Sequence, residues 1–237
     1  MVENENIDLE ELEKFSSRSE HWWDLDGEFK TLHDINPARL NFITRHISLK
    51  NLQVIDIGCG GGILAEAMTK QGAIVTGLDA SKENIEIASQ HATNERLEIN
   101  YIVSTAESFA EDHTDNFDVI TCMELLEHVP DPASIIQAAN KMVKPGGHVF
   151  FSTINRNVKA YIHAVLAGEY LLKLLPQGTH QYEKFIKPSE LVAWCQDNNL
   201  VMNDLAGLQY NPLTGQCSLS TQTDVNYLLD TIAKSNK

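Results

Sequence analysis

The chain has 237 residues, 43% hydrophobic and 22% charged, with 13 Gly, 7 Pro and 4 Cys. This is globular composition, and a chain of that length buries roughly 70–75% of its unfolded surface, so it needs no disulfide or metal staple to fold. A net charge of −15 works against a sequence-independent grip on nucleic acid. No apolar run reaches the 18 residues that span a bilayer, and the acidic opening does not read as a secretory leader. Cys59, Cys122, Cys195 and Cys217 form no C-x-x-C pair, which excludes a zinc ribbon and suggests reduced thiols in a cytosol-type compartment.

The charge is uneven. Residues 1–34 carry eleven acids against Lys14, Arg18 and Lys30, a net of −8, whereas residues 141–187 carry seven bases against Glu169 and Glu183, a net of +5. A basic window on an acidic chain either faces an anionic surface or is a solvated face. In chain order, residues 8–47 predict two helices, Asp8–Arg18 and Pro37–His46, the second capped by Asn36 with Pro37 in its first turn. Strands and helices then alternate: Gln53–Ile57, helix Ile63–Gln71, Ile74–Leu78, helix Lys82–Glu95, Asn100–Ser104, Phe117–Cys122, helix Ala133–Met142 opened by Asp131 and Pro132, and His148–Thr153 after a Lys144-Pro145-Gly146-Gly147 turn. Apolar strands alternating with helices predict a parallel sheet covered on both faces. Val158–Leu175 reads as an apolar helix and Pro188–Asn198 as a capped one, with two further strands near 200–210 and 215–220.

The strand Val54-Ile55-Asp56-Ile57 runs into Gly58-Cys59-Gly60-Gly61-Gly62. Such a turn lets backbone approach a ligand closely, with the next helix aimed at it. A dinucleotide fingerprint needs a third glycine where this chain has Ile63, which weighs against a nicotinamide-dependent oxidoreductase. Asp79 closes the second strand, where an acid accepts both hydroxyls of a ribose. The alternatives are a purely structural turn and a helix cap.

In that order, strand, Asp56, glycine turn and Asp79 resemble the class I S-adenosylmethionine-dependent methyltransferases, whose first motif Asp56-Ile57-Gly58-Cys59-Gly60 matches. The resemblance implies a Rossmann-like α/β fold with a mostly parallel seven-stranded sheet and helices on both faces. It places the methionine part of the cofactor on Gly58 and Gly60, the ribose on Asp79, adenine near Ala106 and Glu107, and Met123 beside the cofactor.

A closer resemblance, from about residue 10 to 229, is to the ubiquinone biosynthesis O-methyltransferases. It is carried by Trp22-Trp23-Asp24, Ile35-Asn36-Pro37, Arg39, the run Cys122 to Pro132, Phe150-Phe151-Ser152-Thr153, Asn155-Arg156-Asn157, Gly178-Thr179-His180, Lys184 to Pro188 and Tyr210-Asn211-Pro212. It implies methylation of ring hydroxyls of polyprenylated phenols, at the 2-polyprenyl-6-hydroxyphenol and 3-demethylubiquinol steps. It also implies that Arg39 meets the cofactor carboxylate, a fit for a guanidinium.

A phenol with a pKa near 10 is mostly neutral at pH 7, so its proton must be taken or its phenolate stabilised. Glu124, Glu127 and His128 follow the fourth strand at its carboxyl end. On a helical turn their i, i+3, i+4 spacing shares one face, which suits a hard ion such as Mg²⁺, as in some family members. The other readings are His128 alone as general base, or acids that cap a helix or pair with a base. Residues 1–48 read as a helical front piece over the cofactor site and 49–237 as the methyltransferase domain, with an insertion at about 157–187.

Tyr161–Leu175, too short to cross a bilayer and flanked by Lys159 and Lys173, reads as a peripheral membrane contact or a core helix. The location expected is the cytoplasmic face of the inner membrane, near other ubiquinone-biosynthesis proteins. Leu213 breaks the N-P-P-aromatic motif of adenine methylases, which disfavours nucleic-acid substrates. A soluble phenolic acceptor and a non-catalytic cofactor binder are the rival functions. Trp22 and Trp23 read as packing of the front helices or as a lid.

Overall fold

The computed structural model describes residues 6–157 and 182–235. Helix α1 (Leu9–Ser16) is opened by Asp8, whose carboxylate accepts from the Glu10 and Glu11 amides, and it carries acids in its first turn and Lys14 in its last. Both choices match the helix dipole. Helix α2 spans Lys30–Thr44 with Pro37 inside it, so the helix begins seven residues before Pro37 rather than at it. Asn36 is correspondingly no cap; its amide donates to the Ile63 carbonyl at 3.2 Å. Burial of Ile35, Ala38, Arg39, Phe42 and Ile43 holds both halves of α2 down despite the amide that Pro37 lacks.

The sheet has eight strands: β1 (Gln53–Ile57), β2 (Ile74–Asp79), β3 (Ile99–Val103), β4 (Phe117–Met123), β5 (Val143–Ile154), β6 (Leu200–Asn211), β7 (Gln216–Ser220) and β8 (Asn226–Ala233). Their order is β3-β2-β1-β4-β5-β8-β6-β7. The first five run parallel, and β8 pairs antiparallel with both β5 and β6. The strand absent from a seven-strand reading is β8, last in the chain yet wedged between β5 and β6. The Pro145-Gly146-Gly147 turn is a bulge within β5, with Gly146 at φ +80° and the β4–β5 register shifting opposite it.

Helices α3 (Ile63–Lys70), α4 (Lys82–Asn94), α5 (Ala106–Ala110), α6 (Pro132–Met142) and α7 (Pro188–Asp197) complete the two covering layers. Alternate side chains feed two cores. Phe150, Leu228 and Val54 meet Phe42, Ile43 and Met68 on the α2–α3 side, whereas Phe151, Leu229 and Ile55 meet Phe109, Ile136 and Leu191 on the other. Burial on both faces is why these strands read as apolar runs. Tyr161–Leu175, Gly178-Thr179-His180 and most of the expected 157–187 insertion lie outside the described residues.

The chain steps from β1 outward to β3 and then returns to β4 on the other flank, so the crevice at the carboxyl ends of β1 and β4 is a topological switch point, where such sheets bind ligands. Phe150 is fully buried with its ring edge-on to Phe42, at 6.0 Å between centroids. Phe150→Ala is expected to lower stability by about 3–5 kcal/mol; a urea midpoint equal to wild type would contradict this packing.

Candidate active site

The glycine turn after β1 is floor and wall at once. Gly60 sits at φ +53°, and a Cβ on it would stand 2.5 Å from the Trp22 ring. On Gly61 the corresponding distance is 2.4 Å. Trp22 stacks on Phe29 with 4.0 Å between centroids and donates from its indole to Asn84 at 2.9 Å. Trp23 donates to the Gly61 carbonyl at 2.9 Å and stacks on His91. Both tryptophans therefore clamp the front segment onto the turn, and Trp22 also borders the cavity.

Asp79, at the end of β2, accepts from the Gly60 amide at 2.9 Å through Oδ2, and from the Ser81 amide at 2.8 Å and Asn84 through Oδ1. Burial pushes its carboxyl above the usual range, and these three donors oppose the shift. Between β2, the glycine turn and α5 opens a cleft of about 840 Å³, counted out to solvent. Gly58, Gly60, Asp79, Ala106, Glu124 and His128 border it.

Four of the expected residues stand behind this wall. Arg39, almost wholly buried, pairs with Glu124, which also accepts from the Ser152 hydroxyl. Glu124 has φ +49°, a left-handed backbone that turns its carboxylate back toward β5 and α2. Asp56 accepts from Thr121 Oγ1 at 2.6 Å. Glu127 is buried with Oε2 accepting from Thr153 at 2.7 Å, and Oε1 has no partner among the described residues. Met123 packs into the core with Phe42 and Phe150 instead of lining this cavity, and Glu124 and Leu125 form the wall in its place.

The expected single-face triad is not formed. Glu124 precedes a short 3₁₀ turn, Leu126–His128, that sends Glu127 into the core and His128 to the cavity. Among the described residues no three His, Cys, Asp or Glu side chains converge as metal ligands, so the donor set does not fit a metal ion here. His128 Nδ1 instead lies 2.9 Å from Glu11 Oε2 on α1, and Phe15 packs edge-on to its ring.

Helix α1 and the residues before it roof the cleft. The Asn6 amide donates to Glu107 at 2.9 Å and to the Asp131 carbonyl, and Lys184 donates to Asp8 at 2.8 Å. Burial works to raise Glu11, but its hydrogen bond with His128 and the charges of His128, Lys14 and Lys184 hold it below the usual range. Sequence reading missed Asn6, Glu11, Asn84, Thr121, Ser152 and Lys184. Nothing distinguishes Glu11 from Glu10 and Glu13 until α1 docks.

Burial raises Asp56 from 3.8 to about 7, against the Thr121 hydrogen bond and the Arg39 charge. A native value above the unfolded one favours folding below about pH 4, and this preference is lost as the pH rises through about 7. Asp56→Asn, which keeps an acceptor for Thr121, is therefore expected to gain stability relative to wild type between pH 4 and 8, by of order a few kcal/mol. Parallel urea-unfolding profiles for the two proteins would contradict it.

A family model described as a methyltransferase domain matches residues 13–205. Among curated proteins, the ubiquinone biosynthesis O-methyltransferase of Stutzerimonas stutzeri is 54% identical over 230 residues, 97% of this chain and 99% of its own. That of Azotobacter vinelandii is 52% identical over 226 residues, covering 95% and 97%. Among solved structures, the magnesium protoporphyrin IX methyltransferase of Synechocystis with bound SAH superposes with a TM-score of 0.70 at 15% identity, covering 95% of this chain and 99% of that one. That likeness shows the fold, while the near full-length identity to the curated relatives shows the family. The chain belongs to the ubiquinone biosynthesis O-methyltransferases.

Proposed function

We propose that the chain transfers a methyl group from S-adenosylmethionine to a ring hydroxyl of a polyprenylated phenol or quinol, at the 2-polyprenyl-6-hydroxyphenol and 3-demethylubiquinol steps. The observation that carries this reading is the meeting of Gly60, Asp79 and His128 on one cleft in a chain 54% identical to a named relative over 230 residues. The cleft's donors and acceptors fit an amino-acid nucleoside. Among the described residues Glu107 Oε2 in the cleft wall has no partner and could accept from an amine, and Arg39 Nε, buried behind the Glu124 wall, has none and could meet a carboxylate admitted past it.

Bound there, S-adenosylmethionine supplies an electrophilic methyl group on a sulfonium. Asp79, held by three donors, is oriented to accept from a diol. Gly58 and Gly60 would let backbone approach the cofactor and Ala106 would border its adenine, while Arg39, with Asp56 nearby, would hold its carboxylate from behind the Glu124 wall. His128, on the cleft wall, takes the phenol proton as the oxygen attacks. Glu127 is buried behind it on Thr153. Glu124 acts by holding Arg39. No step uses Mg²⁺, because the donor geometry among the described residues does not fit a bound ion.

Residues 1–48 serve as the cover of the cofactor site, consistent with the roof made by α1. A polyprenyl tail resides in membrane, so the enzyme works as a peripheral protein at the cytoplasmic face, through the basic, apolar 157–187 segment and beside other proteins of the route. No helix among the described residues is long and apolar enough to cross a membrane.

Methyl-labelled S-adenosylmethionine, incubated with membranes holding the unmethylated polyprenyl phenol, is expected to place label in the lipid extract, equally with and without EDTA. Loss with EDTA would restore the metal reading, and label only on soluble phenols would overturn the lipid acceptor. Asp79→Ala is expected to weaken cofactor binding by about 10- to 100-fold in calorimetry, as loss of charge-assisted hydrogen bonds does. Flotation with anionic liposomes tests the membrane contact, which equal recovery without liposomes would refute.

A further inference from the structure

Glu11 and His128 are 117 positions apart in the chain and in contact in the fold. The two carboxylate oxygens of Glu11 divide their partners. Oε1 faces Lys14 at 3.4 Å and Lys184 at 4.0 Å, and Oε2 faces His128 Nδ1 at 2.9 Å. The group is 7% exposed, so these contacts are poorly screened. An ionised carboxylate only accepts, so the ring nitrogen beside it must carry the hydrogen. In a neutral imidazole the other nitrogen, Nε2, is then the acceptor. Phe15, one helical turn after Glu11, sets its ring at 81° to the imidazole with 5.1 Å between centroids, which restricts the plane of His128.

We propose that Glu11 is a positioning residue for methyl transfer: it holds His128 as the Nδ1–H tautomer, so that Nε2 receives the phenol proton. This rests on His128 being the base. In the step, the phenol oxygen forms its bond to the methyl carbon as the carbon–sulfur bond breaks and its electron pair goes to sulfur. The hydroxyl proton passes to Nε2, and the resulting imidazolium is shared with the Glu11 carboxylate. A purely structural Glu11 would serve only to dock α1. The positioning role goes further, since the base is then set only with the roof in place.

The test compares full-length wild type with Glu11→Leu, Glu11→Gln and His128→Ala. It measures kcat, KM for both substrates, the Kd of S-adenosylmethionine by calorimetry, and the His128 tautomer by ¹⁵N NMR on the neutral ring. Wild type is expected to show Nδ1–H. Glu11→Leu is expected to relax toward the Nε2–H form and to lose about 10- to 100-fold in kcat, part of the 10²–10⁴-fold a positioned base contributes. Its cofactor Kd should rise by a smaller factor than kcat falls: Glu11 borders the cleft, but its carboxylate oxygens face the imidazole and two lysines. Glu11→Gln keeps a carbonyl acceptor and is expected to recover most of the rate. A wild-type kcat in Glu11→Leu while His128→Ala is slow would overturn the positioning role alone. So would a loss of kcat matched by an equal loss of cofactor affinity with the tautomer unchanged. A wild-type kcat in His128→Ala would overturn the base itself.

Discussion

The closeness of the Trp22 ring to bare backbone at Gly60 and Gly61 is the constraint on which the rest of the site depends. No side chain fits between them, so the turn after β1 must be glycine on both counts, by space at Gly61 and by space and a left-handed φ at Gly60. The contact joins two distant parts of the chain, which Trp23 and Asn36 also tie together through the carbonyls of Gly61 and Ile63. Through it the front segment is seated on the sheet, its indole reaches Asn84, and the preceding helix is carried across the cleft to His128. Through the same turn the Gly60 amide fixes Asp79. The floor and the roof of the cleft thus share one wall.

Around that wall the electrostatics are lopsided. Asp56 and Glu127 are buried and Asp79 is half-buried at the cleft, with Arg39 a buried cation beside them, and desolvation pushes all three carboxyls upward. Each is held by neutral donors: Thr121 for Asp56, backbone amides and Asn84 for Asp79, Thr153 for Glu127. Unpaired buried carboxyls are costly to ionise, and structures keep them where function needs them. On the proposed reading a positively charged methyl donor bound nearby favours their ionised forms, so that the deficit of cations in the protein is met by the ligand. The Arg39–Glu124 pair fits the same logic, since Arg39 keeps Nε in reserve while Glu124 is turned by its left-handed backbone toward Ser152.

The opposite end of the sheet shows how the covering layers are locked. Asp230 on β8 is fully buried, accepts from His148 on β5 and Asn203 on β6, and faces His46 just past α2. A strand that is last in the chain is thereby pinned between two others, and the far end of the helix that carries Arg39 is tied to the same carboxylate. The position of Arg39 at the cleft depends in part on contacts at the other end of α2.

Local pattern was enough to determine the parallel half of the sheet, the glycine turn, Asp79 at the end of β2 and the Asp131 cap of α6, because strand periodicity, turn chemistry and capping act over a few residues. The family was equally legible, since the motifs that mark it are contiguous. The start of α2 was not, because packing against the sheet overrode a proline signal. Nor was β8, whose place between β5 and β6 depends on β5 partners 72 to 84 residues distant in sequence and on β6 partners 18 to 33 residues distant. The spacing of Glu124, Glu127 and His128 suggested a common face, but only the folded chain decided that a left-handed residue and a 3₁₀ turn would send them three ways. The pairing of Glu11 with His128 likewise exists only once α1 lies over the cleft, for spacing along a chain says nothing about contacts that loop closure and burial bring together.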